Sequence, residues 1–458
     1  MYKPSVVFIV AVTLSIVVSM DAWRSWHKGQ SAFAWDVANY YAYLPAYFGN
    51  NGSFEFNNPA FVNDYLPRFP GDGKHIPKTT YGLALLYSPW YALGYKVAIN
   101  QNDSRDGFSE PFATVLHWGT ILYAIIGLVL LRNFLIKFYS ERVTTLTLAV
   151  IFLGTSLFYY SVSMPEMPHG LLFFLFSAFL LTNYHWHLKP SPCNSLLLGA
   201  LIGLIALIRP TDLMIVFVFI FWTTDGKFNR KNKLQFLLKQ YKNLMLMLLA
   251  AFLVWLPQML FWKARTGQFL YFSYPGEQFF WGDPQFANVL FSYRKGLFVY
   301  TPLIALAFIG FFFMRDKLKG MRPVLLAMIL LNIYLVSCWW DWFFGGCFAA
   351  RAFVQHLAYL SIPIASLMAF VFEASASKIW SGAVKLLTTA VVFAGIALNL
   401  FQSMQYTNGL IHHNSMSKKT YWLVFGKYKL NEQEQSEFWG SLKEPDYEKL
   451  RSGENRDQ

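Results

Sequence analysis

The chain has 458 residues, of which 38 are Lys or Arg and 25 are Asp or Glu, so its formal net charge is +13. Hydrophobic residues make up 55% of the sequence and charged residues only 14%, which excludes an ordinary soluble globular protein. Apolar runs long enough to cross a bilayer recur from residue 4 to residue 402, with short polar loops between them. The sequence therefore predicts an all-α polytopic membrane protein.

The positive charge does not indicate a nucleic-acid-binding protein, because the basic residues lie mostly in short loops beside apolar runs. We expect no nucleic-acid partner. The three cysteines, Cys193, Cys338 and Cys347, form no CxxC pair and no disulfide framework. We expect them to be packing residues.

The apolar runs predict about eleven transmembrane helices if both halves of a split pair cross. They occupy 4–20, 112–131, 143–162, 169–186, 195–208, 211–224, 243–262, 297–314, 323–340, 351–372 and 380–401. A further apolar stretch, 82–98, would invert every later helix if it crossed, so we interpret it as a re-entrant or interfacial segment. The transmembrane domain is then 1–401, and a polar tail follows at 402–458.

Basic residues in the short loops orient these predicted helices. A cytoplasmic N-terminus places the basic clusters at 132–142, 227–242 and 315–322 inside, while the outside loops 163–168 and 341–350 contain no Lys or Arg. The tail is then extracytoplasmic, and we expect it to form a small exposed cap that frays at its end. The first apolar run fits either a retained anchor or the core of a cleaved signal peptide.

The long loop after the first predicted helix contains the first candidate functional residue. From residue 21 to about residue 78 it is too rich in Trp, Tyr and Phe for a disordered linker, so we expect it to fold against the outer surface. Within WDVANYYAYLPA, helical spacing places Tyr40 and Tyr41 near the carboxylate of Asp36, which can then act as a general base. Alternatively, Asp36 caps an interfacial helix and the tyrosines belong to an aromatic belt.

Four segments together carry a family resemblance. The large outward loop contains D-x-x-x-Y-Y from Asp36, and then K-x-x-Y-G-x-x-L-L-x-x-P from Lys78 through Tyr81. Later segments read GALIGLIALIRPTDLMIVFVF and WWDWFFGGCFAARAF. Together they resemble the GT-C superfamily of integral-membrane glycosyltransferases, in particular the bacterial branch related to protein mannosyltransferases and aminoarabinose transferases. The resemblance covers most of the chain from 1 to 372.

This resemblance implies a GT-C-like fold with a retained first helix and a large first extracytoplasmic loop at 21–111. It also implies a sugar donor carried on a polyprenyl phosphate and a catalytic base in that loop, which corresponds to Asp36 here. Many relatives have an acidic pair at this place, whereas the neighbour here is Val37, so a two-carboxylate or metal-binding role is not carried over. No cofactor is predicted with certainty; a divalent metal ion would fit the chemistry, but the sequence defines no ligand set for one.

Two other outward turns contain polar candidates. Glu166 and His169, in SMPEMPHG, either bind sugar hydroxyls, orient the base or help to hold a metal, or they mark the start of a helix. Arg209, in IRPTD, either closes its turn by an ion pair with Asp212 or binds a lipid phosphate.

The segment CWWDWFFGGCFAAR places Asp341 and Trp342 at the outer end of one predicted helix and Arg351 at the start of the next. Tryptophans at that depth are usually interfacial anchors, although the adjacent glycines permit a tight turn that brings Arg351 to the site. Arg294 is similarly either an anchor at the end of a helix or a phosphate ligand.

The predicted function is a glycosyltransferase at the outer face of a bacterial inner membrane. Asp36 accepts the proton of an acceptor hydroxyl while that oxygen attacks the anomeric carbon with inversion, and basic side chains stabilise the departing polyprenyl phosphate. Its partners are the lipid-linked donor, membrane lipid, and an acceptor that is a glycan, a lipid or a protein. The predicted donor-phosphate ligands are Lys78, Arg209, Arg294 and Arg351, and the predicted sugar- or acceptor-binding residues are Tyr40, Tyr41, Tyr81, Glu166, His169, Asp341 and Trp342.

The main alternative is a transporter or flippase of a lipid-linked substrate. Transporters often contain paired repeats and ionisable groups at mid-membrane depth, and neither is evident in the sequence. The sequence also lacks P-loop, G-x-G-x-x-G, H-E-x-x-H and G-x-S-x-G motifs, which disfavours nucleotide-driven transport and these hydrolase classes. A non-catalytic envelope scaffold has no support beyond the charged tail.

Overall fold

The computed structural model of the chain describes residues 3–23, 32–56, 60–223, 230–373, 378–454 and 456. Within these ranges the regular secondary structure is helical, and the β pairing is limited to isolated bridges between Arg68 and His75 and between Phe279 and Trp339. The prediction of an all-α polytopic membrane protein is confirmed.

The α-helices are numbered in chain order. They are α1 Pro4–Trp23, α2 Trp35–Tyr41, α3 Tyr43–Gly49, α4 Gly82–Gln101, α5 Glu110–Leu135, α6 Glu141–Leu153, α7 Tyr159–Val162, α8 Pro168–Leu188, α9 Pro192–Ile208, α10 Val216–Ile220, α11 Arg230–Lys239, α12 Tyr241–Thr266, α13 Phe286–Phe291, α14 Leu297–Tyr300, α15 Ala305–Gly310, α16 Arg322–Cys338, α17 Leu357–Glu373, α18 Lys378–Thr407, α19 Lys418–Val424, α20 Glu432–Ser441 and α21 Tyr447–Ser452. Short 3-10 helices occupy Ala60–Tyr65, Pro210–Ile215, Pro302–Ile304, Phe311–Phe313, Asp316–Met321 and Arg351–Phe353.

Among the described residues, five helices are long and apolar enough to cross a membrane. They are Glu110–Leu135, Pro168–Leu188, Tyr241–Thr266, Leu318–Cys338 and Gly382–Thr407. Shorter apolar helices occupy Pro4–Ser19, Pro192–Ile208, Pro210–Ile220, Pro302–Phe313 and Leu357–Glu373, which are the positions of further predicted spans. The remaining predicted span, 143–162, falls on α6 and α7, which are separated by a break. The segment 82–98 lies in α4, a continuous 20-residue helix, and its interfacial placement remains a prediction.

The helices α9 and α12 pack with unusually close backbones because glycine lies at their contact. A Cβ atom on Gly199 would lie 2.1 Å from the carbonyl oxygen of Met247, and one on Gly203 would lie 2.9 Å from the Cα of Ala251. The indole Nε1 of Trp255 donates a hydrogen bond of 3.0 Å to the carbonyl of Gly203. Small residues permit such close approach between apolar helices. The contact holds the end of α9, from which Arg209 follows.

A polar cluster marks the end of the bundle that is remote from the first loop. Arg132, near the end of α5, donates from Nε to the Ser5 hydroxyl at 2.7 Å and forms an ion pair with Glu141 at the start of α6. The hydroxyl of Ser140 donates to the carboxylate of Glu373 at the end of α17. The predicted orientation places this end in the cytoplasm. The part of the predicted basic cluster at 224–229 lies outside the described residues.

Arg456, near the end of the tail, is fixed by contacts with the loop after α16, whereas residues 455, 457 and 458 lie outside the described residues, so fraying of the end stays a prediction. The Arg456 side chain is only 1% exposed, and Nη2 donates to the carbonyls of Ser337 and Trp339 at 3.0 and 2.9 Å. The backbone carbonyl of Arg456 in turn accepts a hydrogen bond of 2.7 Å from the indole of Trp342. Because these contacts satisfy carbonyls at the C-terminal end of α16, the tail is joined to the loop that follows this helix.

We expect Gly199→Ala to destabilise the protein by about 1–3 kcal/mol, because the added methyl group meets the backbone of α12 and forces the two helices apart. The matched control is Gly382→Ala in α18, where an added Cβ has no neighbour within 4 Å. Melting temperatures of the detergent-solubilised proteins measure the effect. An equal melting temperature for Gly199→Ala and the wild type would contradict the close packing of α9 and α12.

Candidate functional site

An ion pair between Asp36 and Arg351 lies at the centre of the candidate site. Asp36 is in the first turn of α2, and Arg351 begins the 3-10 helix before α17. The distance from Asp36 Oδ2 to Arg351 Nη1 is 2.9 Å. The Asp36 side chain remains 49% exposed, whereas that of Arg351 is only 14% exposed. The carboxylate is therefore held in place by a buried cation and is still accessible to a ligand.

The ring of Phe344 brings a second guanidinium to this centre. The Cζ atoms of Arg209 and Arg351 lie 5.5 and 6.0 Å from the Phe344 ring centroid, within the range of cation–π attraction. Arg209 follows α9 and Phe344 lies in the loop after α16. Two of the predicted phosphate ligands, Arg209 and Arg351, thus lie close to the same aromatic ring.

The alternative ion pair between Arg209 and Asp212 does not form. Instead, Asp212 Oδ2 accepts a hydrogen bond of 3.0 Å from Gln355, and Oδ1 lies 3.6 Å from the Nε2 atom of His356. In the part of the chain that the structure describes, no carboxylate lies within 4.0 Å of the Arg209 guanidinium. Arg209 is therefore a partly exposed cation that can accept an anionic ligand.

Two tyrosines supply hydroxyl groups beside the Asp36–Arg351 pair. Burial raises the pKa of the Tyr40 phenol well above its ordinary value, and the charges of Asp36, Arg209 and Arg351 act on the same hydroxyl. Burial also raises the pKa of Tyr274, with a further increase from Asp36 and opposing effects from the two arginines. Both phenols therefore stay protonated at neutral pH and can donate hydrogen bonds to a bound sugar.

Lys78 connects segments around the site, and its ammonium group is already ion-paired. Its ammonium group forms an ion pair with Glu277 and lies 4.8 Å from the ring centroid of Tyr274. The second carboxylate oxygen of Glu277 accepts a hydrogen bond of 2.9 Å from the indole of Trp340. The backbone N–H of Lys78 donates to the side chain of Asn39 at 2.7 Å. These contacts connect α2 with the loop after α12 and with the loop after α16.

The structure does not bring the other two predicted tyrosines to the Asp36–Arg351 pair. The buried hydroxyl of Tyr41 donates to the carbonyl of Gly107 at 2.6 Å. The hydroxyl of Tyr81 donates to the carbonyl of Val254, and its backbone N–H donates to Gln258 at 2.8 Å. Both residues therefore connect the first loop to the rest of the protein.

Glu166 and His169 are buried in the protein interior. Glu166 Oε1 lies 2.5 Å from Nδ1 of His117 on α5, and the backbone carbonyl of Glu166 accepts a hydrogen bond from the hydroxyl of Tyr87. The His169 ring packs 4.8 Å from the ring of Tyr160. These contacts fix the turn before α8 and leave Glu166 and His169 behind the exposed face of the site.

The remaining predicted residues form a layer between Arg351 and the tail. The Trp342 indole is bonded to the carbonyl of Arg456, and the guanidinium of Arg294 lies 4.7 Å from the Phe343 ring centroid. Burial raises the pKa of Asp341 to about 6, against the lowering effect of Arg351. A small cavity in this layer is lined by Lys295, Trp342, Phe343, Phe344 and Arg351, together with neighbouring apolar residues.

Several residues of the site were not predicted from the sequence, namely Asn39, Tyr274 and Phe344. Their signals are weak, because a buried Asn and aromatic residues in outer loops are common in membrane proteins. The residues described contain no group of three or more His, Cys, Asp or Glu side chains placed to hold a metal ion.

Comparison with known proteins finds similarity among solved structures. No family model matches the sequence, and no curated protein matches it. The crystal structure of ArnT from Cupriavidus metallidurans in the apo state matches with a TM-score of 0.46 and 14% sequence identity, covering 88% of this chain and 75% of that chain. The identity is too low to assign residue roles by correspondence.

We expect Arg456→Ala to loosen the loop after α16, because carbonyls that Arg456 satisfies would lose a charged donor, at a cost of about 1–3 kcal/mol. Hydrogen exchange of backbone amides in 337–345 should accelerate, and the melting temperature should fall. The control is Lys449→Ala in the same tail, where the side chain is half-exposed and pairs only with the nearby Asp446. Equal rates of hydrogen exchange in both variants would contradict the stabilisation of this loop by Arg456.

We expect Asp341 to make stability depend on pH. Its folded-state pKa is raised to about 6, above the ordinary value near 4, so the folded protein binds this proton more tightly than the unfolded chain. The stabilisation is complete below about pH 4 and is lost as the pH rises through about 6. Melting temperatures between pH 4.5 and 7.5 should therefore fall more steeply for the wild type than for Asp341→Asn. Parallel profiles would contradict the raised pKa.

Proposed function

We propose that the protein is a glycosyltransferase that moves a sugar from a polyprenyl-phosphate-linked donor to an acceptor hydroxyl. The observation that carries this proposal is the convergence of an accessible carboxylate, Asp36, with two guanidinium groups, Arg209 and Arg351, at the ring of Phe344. The sequence resemblance to GT-C glycosyltransferases supports the same assignment, because its motifs contain all of these residues.

Asp36 acts as the general base in this proposal. The acceptor oxygen attacks the anomeric carbon as Asp36 takes the hydroxyl proton, and the bond from that carbon to the phosphate oxygen breaks with inversion. The exposed side of the Asp36 carboxylate admits the acceptor. Arg351 holds the other side and fixes the direction of the carboxylate before the acceptor arrives.

Arg351 and Arg209 bind the phosphate of the donor. Negative charge develops on the leaving phosphate as the glycosidic bond breaks, and guanidinium groups stabilise it by paired hydrogen bonds. Arg209 is more accessible to the phosphate than Arg351 is. Arg209 forms no ion pair with Asp212, whereas Arg351 already contacts Asp36. Donor binding then adds an anion to a centre that otherwise holds two cations and one carboxylate.

The other predicted residues take supporting roles in this proposal. Tyr40 and Tyr274 donate hydrogen bonds to the sugar, while Lys78 and Glu277 keep the first loop against the loop after α12. Arg294, Asp341 and Trp342 lie behind Arg351 and position it, while Tyr41, Tyr81, Glu166 and His169 form the scaffold.

The long apolar helices support a location within a membrane, which we propose is the bacterial inner membrane with the site at its outer face. The polyprenyl chain then lies in the hydrocarbon layer beside the bundle, and its phosphate reaches the interface where Arg209 and Arg351 lie. The acceptor, whether glycan, lipid or protein, approaches from the aqueous side.

We expect Asp36→Asn to lower sugar transfer by about 100-fold or more, because the amide cannot accept the acceptor proton. Membranes that contain equal amounts of each protein are incubated with a panel of radiolabelled polyprenyl-phosphate sugars, and label that reaches an acceptor is measured. The matched control is Asp64→Asn, an exposed carboxylate in the same loop, which should leave transfer unchanged.

Equal transfer by wild type and Asp36→Asn would remove Asp36 from the mechanism. Movement of labelled lipid across the bilayer without cleavage of its sugar–phosphate bond would overturn the transferase and favour the transporter alternative. Transfer by the wild type and by Asp64→Asn, together with its loss in Asp36→Asn, supports the proposal.

A further inference from the structure

Backbone strain singles out two aromatic residues at the candidate site. Among the described residues, five that are not glycine have a positive φ: Trp35, Asn51, Asn102, Phe344 and Ala349. Asparagine adopts this conformation readily, but for a bulky aromatic residue it is an outlier that the surrounding structure must enforce. Trp35 and Phe344 both have φ of 55°. One precedes Asp36 in the chain, and the other contacts Arg209 and Arg351.

The Trp35 side chain is 69% exposed, in contrast to the residues of α2 from Val37 onwards. Val37, Ala38, Asn39, Tyr40 and Tyr41 are all buried. The indole therefore stands at the surface at the first residue of α2, and Asp36 is the next residue in the chain. A large exposed aromatic ring at such a position is well suited to contact a ligand.

The Trp35 indole packs against the ring of Tyr65. Its ring centroid lies 5.2 Å from that of Tyr65, with an angle of 51° between the rings. The Nδ2 atom of Asn39 donates to the carbonyl of Tyr65 at 2.8 Å and lies 3.4 Å from the carbonyl of Trp35. The same Asn39 side chain accepts the backbone N–H of Lys78 at 2.7 Å. Asn39 thus connects the backbone of Trp35 and Tyr65 to the first loop at Lys78.

An interfacial membrane anchor is the ordinary role of an exposed tryptophan. Such an anchor functions in any backbone conformation, because it needs only depth in the membrane. A membrane anchor does not require the positive φ of Trp35, its hydrogen bond to Asn39 or its position next to Asp36 in the chain. Strained residues gather instead at sites that bind ligands or catalyse reactions.

We propose that the indole of Trp35 is the stacking platform for the pyranose ring of the lipid-linked donor, an inference that rests on the proposed function. A phosphate on Arg351 lies beside Asp36, because these two side chains are in direct contact. Only one glycosidic oxygen separates that phosphate from the sugar ring. In this proposal the ring extends from the Asp36–Arg351 pair to the indole of Trp35, the residue that precedes Asp36 in the chain. Stacking exposes the anomeric carbon on the side of the base.

The test compares the affinity of purified protein for polyprenyl-phosphate sugars with its affinity for polyprenyl phosphate that carries no sugar. The wild type should bind the best sugar of the panel about threefold to tenfold more tightly than the bare lipid phosphate. Trp35→Leu keeps an apolar side chain but should lose this preference, while its affinity for the bare lipid phosphate stays unchanged. Trp35→Phe should retain part of the preference.

Two further variants separate the platform from other roles of tryptophan. Trp35→Gly adopts φ of 55° without strain, so it should keep or raise the melting temperature and still lose the sugar preference. Trp439→Leu, at an exposed tryptophan of the tail, should retain the full preference.

If Trp35→Leu lost equal affinity for the sugar-linked lipid and for the bare lipid phosphate, Trp35 would be a membrane anchor. That result would overturn the proposed stacking role. An unchanged sugar preference in Trp35→Leu, or the lack of any preference in the wild type, would overturn it as well. If the preference exists and depends on Trp35 but the wild type transfers no sugar, the transferase proposal fails and the binding platform stands. The two proposals are therefore tested separately.

Discussion

The Asp36–Arg351 ion pair is the interaction on which the rest of the site depends. It joins the first loop of the chain to the loop between α16 and α17, so it fixes the distance between the carboxylate and the guanidinium. Removing a charged pair from water costs free energy unless both partners are well placed. The half-exposed carboxylate keeps part of its hydration, which reduces that cost. The same exposure leaves one side of Asp36 open to a ligand.

Both partners of this pair are held by contacts from distant segments. On the side of Asp36, Asn39 bonds to Lys78, and Lys78 is ion-paired with Glu277. On the side of Arg351, the loop after α16 is fixed by Trp340 on Glu277 and by Trp342 on the tail. Side chains fixed in this way are organised before the substrate binds, which is the condition for electrostatic stabilisation of a transition state.

The spans were predictable from the sequence, because apolar length is a local property that the bilayer requires. Asp36, Arg209 and Arg351 were predictable as candidates because they are polar residues in the segments between apolar runs. The pairing of Lys78 with Glu277 was not, since the two residues are separated by 199 positions and no local pattern connects them. The roles of Tyr40 and Tyr41 diverge because one step along a helix turns a side chain by about 100°. Only the packed structure shows that Tyr41 bonds to Gly107.

The contacts of Arg456 with the loop after α16 affect the order in which the site can form during synthesis. Asp36 leaves the ribosome early in synthesis, and Arg351 follows after most of the helices, but the carbonyls of Ser337 and Trp339 receive their charged donor only when residue 456 has been made. The bond from Trp342 to Arg456 further requires the tail to reach the same side of the membrane as Asp36. The loop after α16 therefore receives these contacts later in synthesis than the segments that it joins. Its final conformation depends on a residue that lies more than 100 positions further along the chain.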